Sequence, residues 1–192
     1  ADLSFNRITI DGDTSTNDSC ILIATGSASA PQIEANHPDF PAFKATLKQV
    51  LVDLAQAIVR DGEGATKFVT VSVEQAKNKE EALETAYTIA HSPLVKTALF
   101  ASDPNWGRIL AALGRSPIPD FDLSKVAVYL NDVCIVEQGG RSASYREEDG
   151  QAVMDQHEIL IRVVLGRGGH TETVWTTDLS HEYVTINADY RT

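Results

Sequence analysis

Glu63 stands between two glycines in Asp61-Gly62-Glu63-Gly64-Ala65-Thr66-Lys67-Phe68. Glycines on both sides let the backbone turn sharply and leave room for a ligand, and the carboxylate is the group that would receive a substrate ammonium. The same spacing also suits a helix C-cap at Gly62 followed by a solvated glutamate, and spacing alone leaves both readings open. Upstream, Asp11 to Asp18 (DGDTSTND) packs three carboxylates, one amide and three hydroxyls into eight residues. A calcium loop of the EF-hand type is excluded, because the fifth, sixth and twelfth places hold Ser15, Thr16 and Leu22 instead of Asp or Asn, Gly and Glu. What remains is a direct ligand role or a loop whose side chains bond their own backbone.

Ser102 to Arg108 (SDPNWGR) opens a short helix. Its unpaired N–H groups could meet an anion, or the segment is a capped helix start with Trp106 in the core. Gly139-Gly140-Arg141 and Gly166 to His170 (GRGGH) could be anion sites, or, as is commoner in a strand-rich region, loops between strands. The tail Asn187-Ala188-Asp189-Tyr190-Arg191-Thr192 would be frayed by default; docked through Tyr190, it would bring an amide, a hydroxyl and a carboxylate to one point. The five histidines lack metal-ligand spacing, and no Walker or dinucleotide fingerprint opens a helix, so neither a metal nor a nucleotide cofactor is expected.

The elements that must hold these groups follow from periodicity. Phe5, Ile8 and Ile10, and then Cys20 to Ala24, read as two buried strands around the polar loop. From Asp39 the period becomes helical, with Pro41 in the first turn and Phe43, Leu47, Val50, Leu51, Leu54 and Ile58 recurring until Asp61-Gly62 stops it. Phe68 to Val73 alternates as a strand. Helices follow at Lys79 to Ala90, Leu94 to Phe100 and Pro104 to Leu113, the last with Asp103 as N-cap. The prolines near Ser116 to Pro119 mark a linker, beyond which strands dominate: Val126 to Leu130, Val133 to Val136, Ile159 to Leu165, Thr171 to Thr177 and Val184 to Ile186. Asn131-Asp132 is a tight hairpin signal. The expected fold is α/β with mixed layers: residues 1–115 as part of a catalytic domain and 116–192 as a smaller strand-rich domain whose tail returns to the site.

Composition sets limits on partners. With 27 acidic against 16 basic residues the net charge is −11, which argues against nucleic acid, whose phosphates are met by clustered Lys and Arg. No apolar run approaches a membrane span and the N-terminus lacks signal-peptide features, which points to a cytoplasmic protein. Cys20 and Cys134 each sit in an apolar stretch and are expected to be buried thiols in a reducing compartment.

Together, Ser4-Phe5-Asn6-Arg7 followed by DGDTSTND, DGEGATKF at Asp61 to Phe68, SPLVKTALFASDPNWGRILAALG at Ser92 to Gly114, and the INADYRT terminus resemble the C-terminal part of the ornithine acetyltransferase family, also called glutamate N-acetyltransferase. These motifs run in the family's order from one end of the chain to the other. The resemblance implies a precursor that cuts itself in two and frees a threonine, the nucleophile, expected upstream of Ala1. It implies ping-pong transfer of acetyl from N-acetylornithine to glutamate, with an oxyanion hole supplied by the N-terminal (alpha) chain. Carried over residue by residue, the substrate-binding positions fall on Glu63, Asn187 and Thr192, with Asn187 and Thr192 as amide and hydroxyl donors to substrate carboxylates and DGDTSTND and DPNWGR as supports. The family further implies two alpha and two beta chains and no cofactor; use of acetyl-CoA as a second acetyl donor is left open. Two other classes compete: a hydrolase of the N-terminal-nucleophile type, in which water replaces glutamate, and a noncatalytic binding or assembly module.

Overall fold

The structure is a computed structural model that describes residues 1–189. In chain order its elements are α1 (Phe40–Arg60), β1 (Phe68–Ala76), α2 (Lys79–Ala90), α3 (Pro93–Phe100), α4 (Trp106–Leu113), β2 (Ala127–Leu130), β3 (Val133–Glu137), β4 (Gly140–Arg141), α5 (Glu147–Met154), β5 (Glu158–Val164), β6 (His170–Thr177) and α6 (His181–Asp189). The strands form one six-stranded sheet in the order β4-β3-β2-β5-β1-β6. β1 runs parallel to β5 and antiparallel to β6, so a strand from before residue 115 is paired on both sides by strands from after it. The change in composition near residue 115 therefore does not coincide with a break in the sheet.

The best-buried part of the sheet includes the adjacent strands β1 and β5, where Val69, Val71 and Val73 and Ile159, Ile161 and Val163 are fully buried or nearly so. Helix α2 packs across β1 and β6 with Ala82, Ala86 and Ile89, and α5 lies against β2 and β3. Small alanines on the inward face of α2 let the helix approach the sheet closely, and the helical spacing of Leu83, Ala86 and Ile89 is what made this element readable from sequence. The mixed α/β layering expected from the sequence is what forms. The hairpin at Asn131-Asp132 also forms, with Asn131 at φ 48°, a left-handed conformation that Asn tolerates.

Five expectations are corrected. Phe5 to Ile10 is not a strand: Phe5–Arg7 make a 3-10 turn, and the segment joins the sheet only through a bridge between Ile8 and Trp175. Arg7 is buried there and pairs with Glu172. Cys20 to Ala24 forms no strand, and Ile21, Leu22 and Ile23 are 78, 72 and 79% exposed. A β segment needs a neighbour to satisfy its backbone, and among the described residues none pairs with it. Cys20 is accordingly exposed and Cys134 half-buried, against the expectation that both are buried. Helix α4 starts at Trp106, capped not by Asp103 but by Asn105, whose Oδ1 accepts from Arg108 N at 3.1 Å while Asp103 holds the Asn105 amide at 2.9 Å. Finally, Val184 to Ile186 lies inside α6 and is helical. Ser180 Oγ accepts from Tyr183 N at 3.3 Å, so a serine cap starts a helix where the run of Tyr, Val, Thr and Ile suggested a strand.

Candidate active-site wall

Helix α1 ends as expected. Asp61 N and Gly62 N close its last turn on Ala57 O and Val59 O. Gly62 must be glycine-like in size, since a Cβ would lie 2.9 Å from Ile10 Cδ1 and 3.1 Å from Val59 O. Gly64 has φ 65°, and a Cβ there would lie 2.6 Å from Tyr183 N and 2.7 Å from Ser180 Oγ. The two glycines thus do different things: Gly62 lets the loop pass beside α1, and Gly64 lets it lie against the first turn of α6.

Beyond Gly64 the loop is bound to the end of β6. The Asp178 carboxylate, 3% exposed, accepts from Thr66 N at 2.8 Å, Thr66 Oγ1 at 2.6 Å and Lys67 N at 2.9 Å. Ser180 Oγ donates to Gly64 O at 2.6 Å. Behind this segment Lys96, 3% exposed, donates to Thr177 O and, at 3.1 Å, to Thr176 Oγ1. Burial pushes its ammonium down to about 8, opposed by the Asp178 and Asp11 carboxylates.

Glu63, held exposed at the loop's tip, meets Asn187 on α6: Asn187 Nδ2 donates to Glu63 Oε2 at 2.7 Å and to Tyr183 O at 2.9 Å. Both neighbours of the amide nitrogen are acceptors, which fixes the orientation of the amide. Its donors are therefore engaged inside the protein, and Oδ1 is the atom left for a ligand. This differs from the expected role of Asn187 as a donor to a substrate carboxylate. Among the described residues no hydrogen bond engages Glu63 Oε1 either. The loop and helix together present two adjacent acceptors, one charged, to solvent. Such a pair suits a cationic N–H donor such as an ammonium.

The DGDTSTND segment divides. Ser15, Asn17 and Asp18 bond one another, with Asp18 N donating to Ser15 Oγ at 3.1 Å, which is the self-bonded loop. Asp11 alone reaches the site. Its Oδ1 accepts from Asp13 N at 2.9 Å and its Oδ2 from Tyr183 Oη at 2.7 Å. With both oxygens engaged it is a support and not a second ligand carboxylate. The hydrogen bond to Asp11, then burial, then the charge of Asp11 push the Tyr183 phenol up to about 12, so it is a neutral donor at physiological pH. The SDPNWGR segment does not reach Glu63; Arg108 donates to Leu94 O at 2.9 Å and to Thr97 Oγ1 at 3.2 Å, tying α4 to α3. Arg167 in GRGGH is bonded to Glu81, Asp120 O and Pro119 O, and Gly139 packs on Leu123. The GRGGH turn is thus tied down by packing, and Gly140–Arg141, expected as a loop, is the short edge strand β4 paired with β3. Thr192 and its neighbours Tyr190 and Arg191 lie outside the described residues.

Three residues at the site were not found by sequence reasoning: Tyr183, Ser180 and Asp178. A signal for two of them existed, because Ser180 followed three residues later by Tyr183 is N-cap spacing, and Tyr183 and Asn187 are four apart on one helical face. Among the described residues no group of His, Cys, Asp and Glu is arranged to hold a metal ion, and none of the helices there is long and apolar enough to cross a membrane.

Comparison with known proteins covers the entire chain. The chain is 63% identical to the arginine biosynthesis bifunctional protein ArgJ of Pseudomonas fluorescens over 193 aligned positions, and 63% identical to the protein of the same name from Pseudomonas syringae pv. tomato. Each alignment takes in 100% of this chain and 48% of the relative, so the chain spans about half the length of the curated relatives it matches. A crystal structure of the arginine biosynthesis bifunctional protein ArgJ from Bacillus halodurans superposes with a TM-score of 0.91 at 39% identity, covering 97% of this chain and 87% of that one. The family model described as the ArgJ family matches residues 1–192, and the chain belongs to that family.

Proposed function

We propose that this chain is the substrate-binding, C-terminal part of a cytoplasmic acetyltransferase of arginine biosynthesis that moves acetyl from N-acetylornithine to glutamate. The observation that carries the reading is the contact of Asn187 with Glu63, a bonded pair in which one carboxylate oxygen and one amide oxygen are left to receive the ammonium of an amino-acid substrate. The nucleophile is a threonine upstream of Ala1, freed by self-cleavage of the precursor. Its hydroxyl attacks the acetyl carbonyl while its α-amine takes the proton; the C–N bond of N-acetylornithine breaks, and ornithine leaves with a proton. The glutamate amino group then attacks the acetyl ester, the threonine oxygen leaves and regains its proton, and N-acetylglutamate forms. The oxyanion hole comes from the alpha chain, Thr192 completes the substrate wall, and two alpha and two beta chains assemble. Acetyl-CoA as a further donor would enter at the same acetyl-enzyme. The apolar run Ile21 to Ile23 and the outward face of α1, with Phe43, Val50, Leu54 and Ile58 each about half exposed, support association with the alpha chain, because such surface is normally buried in an interface.

Replacing Glu63 by Gln in the full-length enzyme tests the reading. The amide keeps the size and the acceptor for Asn187 but loses the charge, so the KM for N-acetylornithine should rise by roughly tenfold or more, as expected for a lost charge-assisted hydrogen bond. Self-cleavage, followed by gel mobility of the two chains, should be unaffected. Unchanged kinetics with both substrates would remove Glu63 from the site.

A further inference from the structure

Helix α6 carries Asn187, yet none of its residues is buried. A nine-residue helix is marginal in water without tertiary contacts, and apolar burial does not supply them here. The chain is anchored firmly only as far as Thr177, Asp178 and Ser180, which are 2, 3 and 5% exposed. From Ser180 onward the helix meets the rest of the protein through its first turn packed on Gly64, an edge contact of His181 with Phe100, and two side-chain hydrogen bonds, Tyr183 to Asp11 and, one turn later, Asn187 to Glu63. The Glu63 contact ties the helix only to an exposed side chain at the tip of a loop, so a bond to a better-fixed segment is needed to hold the helix in place.

Asp11 is well placed to do so. Thr9 N donates to Trp175 O at 3.0 Å, Thr9 Oγ1 accepts from Gly12 N at 3.1 Å and contacts His91 Nε2 at 3.1 Å, and Asp11 Oδ1 is held by Asp13 N. The segment that carries Asp11 is thereby fixed to β6 and to the end of α2. We infer that the Tyr183–Asp11 hydrogen bond is the clasp that holds α6 in register over Glu63, which makes Tyr183 a positioning residue for recognition of the amino-acid substrate. The inference deepens the proposed function and rests on it for its kinetic consequence, while the clasp itself is a property of the chain.

The experiment uses the full-length protein as wild type, Tyr183→Phe, Asp11→Ala, Asp11→Asn and the Tyr183→Phe/Asp11→Ala double variant. Tyr183→Phe keeps the ring and removes one donor, so the KM for N-acetylornithine should rise roughly tenfold, with kcat held within about twofold, the scale of one hydrogen bond to a charged group. Asp11→Asn, whose amide oxygen still accepts from the phenol, should fall between wild type and Asp11→Ala. The double variant should be no worse than the weaker single variant, because both remove the same bond. Hydrogen exchange should show faster exchange at residues 184–189 in Tyr183→Phe and unchanged protection in β1 and β6. Wild-type KM with unchanged exchange, or fully additive losses, would overturn the clasp. If the wild-type enzyme transfers no acetyl at all, the proposed function fails and the exchange comparison alone decides the clasp.

Discussion

Expressed alone, residues 1–192 are expected to give no acetyl transfer between N-acetylornithine and glutamate, whereas a precursor of the length of the curated relatives is expected to give it. Attack on an acetyl carbonyl needs a nucleophile with a base in hydrogen-bond reach and donors for the oxyanion, all within one site. The hydroxyls around Glu63 are otherwise engaged: Thr66 Oγ1 donates to an Asp178 carboxylate that also accepts two backbone N–H groups, Ser180 Oγ donates to Gly64 O, and the Tyr183 phenol is held neutral by Asp11. Loss of a nucleophile that acts by covalent catalysis lowers turnover on the order of a millionfold, which places the isolated chain below detection in an ordinary assay. The isolated chain should also self-associate through Ile21 to Ile23 and the α1 face, visible as concentration-dependent light scattering that the alpha chain suppresses. Measurable transfer by the purified chain, with alpha chain excluded by mass spectrometry, would mean that a hydroxyl within it is the nucleophile.

Deleting Asn187 to Thr192 from the full-length enzyme is the second large effect. It removes the amide that orients Glu63, the second turn of α6, and the threonine that the family resemblance places in the site. Two lost contacts to charged substrate groups, each about 1.5–3 kcal/mol, lower kcat/KM for N-acetylornithine by at least about a hundredfold. Stability should barely move, since α6 contributes no buried residue; a melting temperature within about 4 °C of wild type is expected on the scale of a 1 kcal/mol change. Full activity in the truncated enzyme would return the tail to a frayed end. A collapse in melting temperature would show that α6 is a structural element first.

Much of the fold was legible because its elements bury one face. The alanine and isoleucine spacing of α2 and the alternation in β1 and β5 reflect contacts made within this chain, and periodicity reports such contacts directly. Cys20 to Ala24 shows the limit. Its apolar run reads as a buried strand, but a strand's structure depends on a neighbour, and the run stands exposed among the described residues. The same holds for α1, a real helix whose periodic stripe Phe43, Val50, Leu54 and Ile58 faces outward. Periodicity located the element and not the surface that covers it.

At the site, the two glycines around Glu63 were readable, and each is explained by a specific close approach. That the Asn187 amide nitrogen is engaged within the chain was not readable, because it depends on Tyr183 O and Glu63 Oε2 both lying on its nitrogen side. The role of Asp11 was hidden for a different reason. One of the three carboxylates in DGDTSTND reaches across to α6, and choosing it required knowing that Tyr183 lies on a helix. Reading Val184 to Ile186 as a strand hid this relation, whereas the serine cap at Ser180 would have placed Tyr183 and Asn187 one helical turn apart.

The central claim is that the acetyl group passes to an amino-acid acceptor and not to water. The full-length enzyme should be given N-acetylornithine carrying an isotopically labelled acetyl group, with and without glutamate, and the products resolved by mass spectrometry. Labelled N-acetylglutamate and ornithine are expected in equal amounts when glutamate is present, with a labelled acetyl-protein accumulating when it is withheld. Labelled acetate appearing at a rate indifferent to glutamate would contradict the claim and identify the enzyme as a hydrolase.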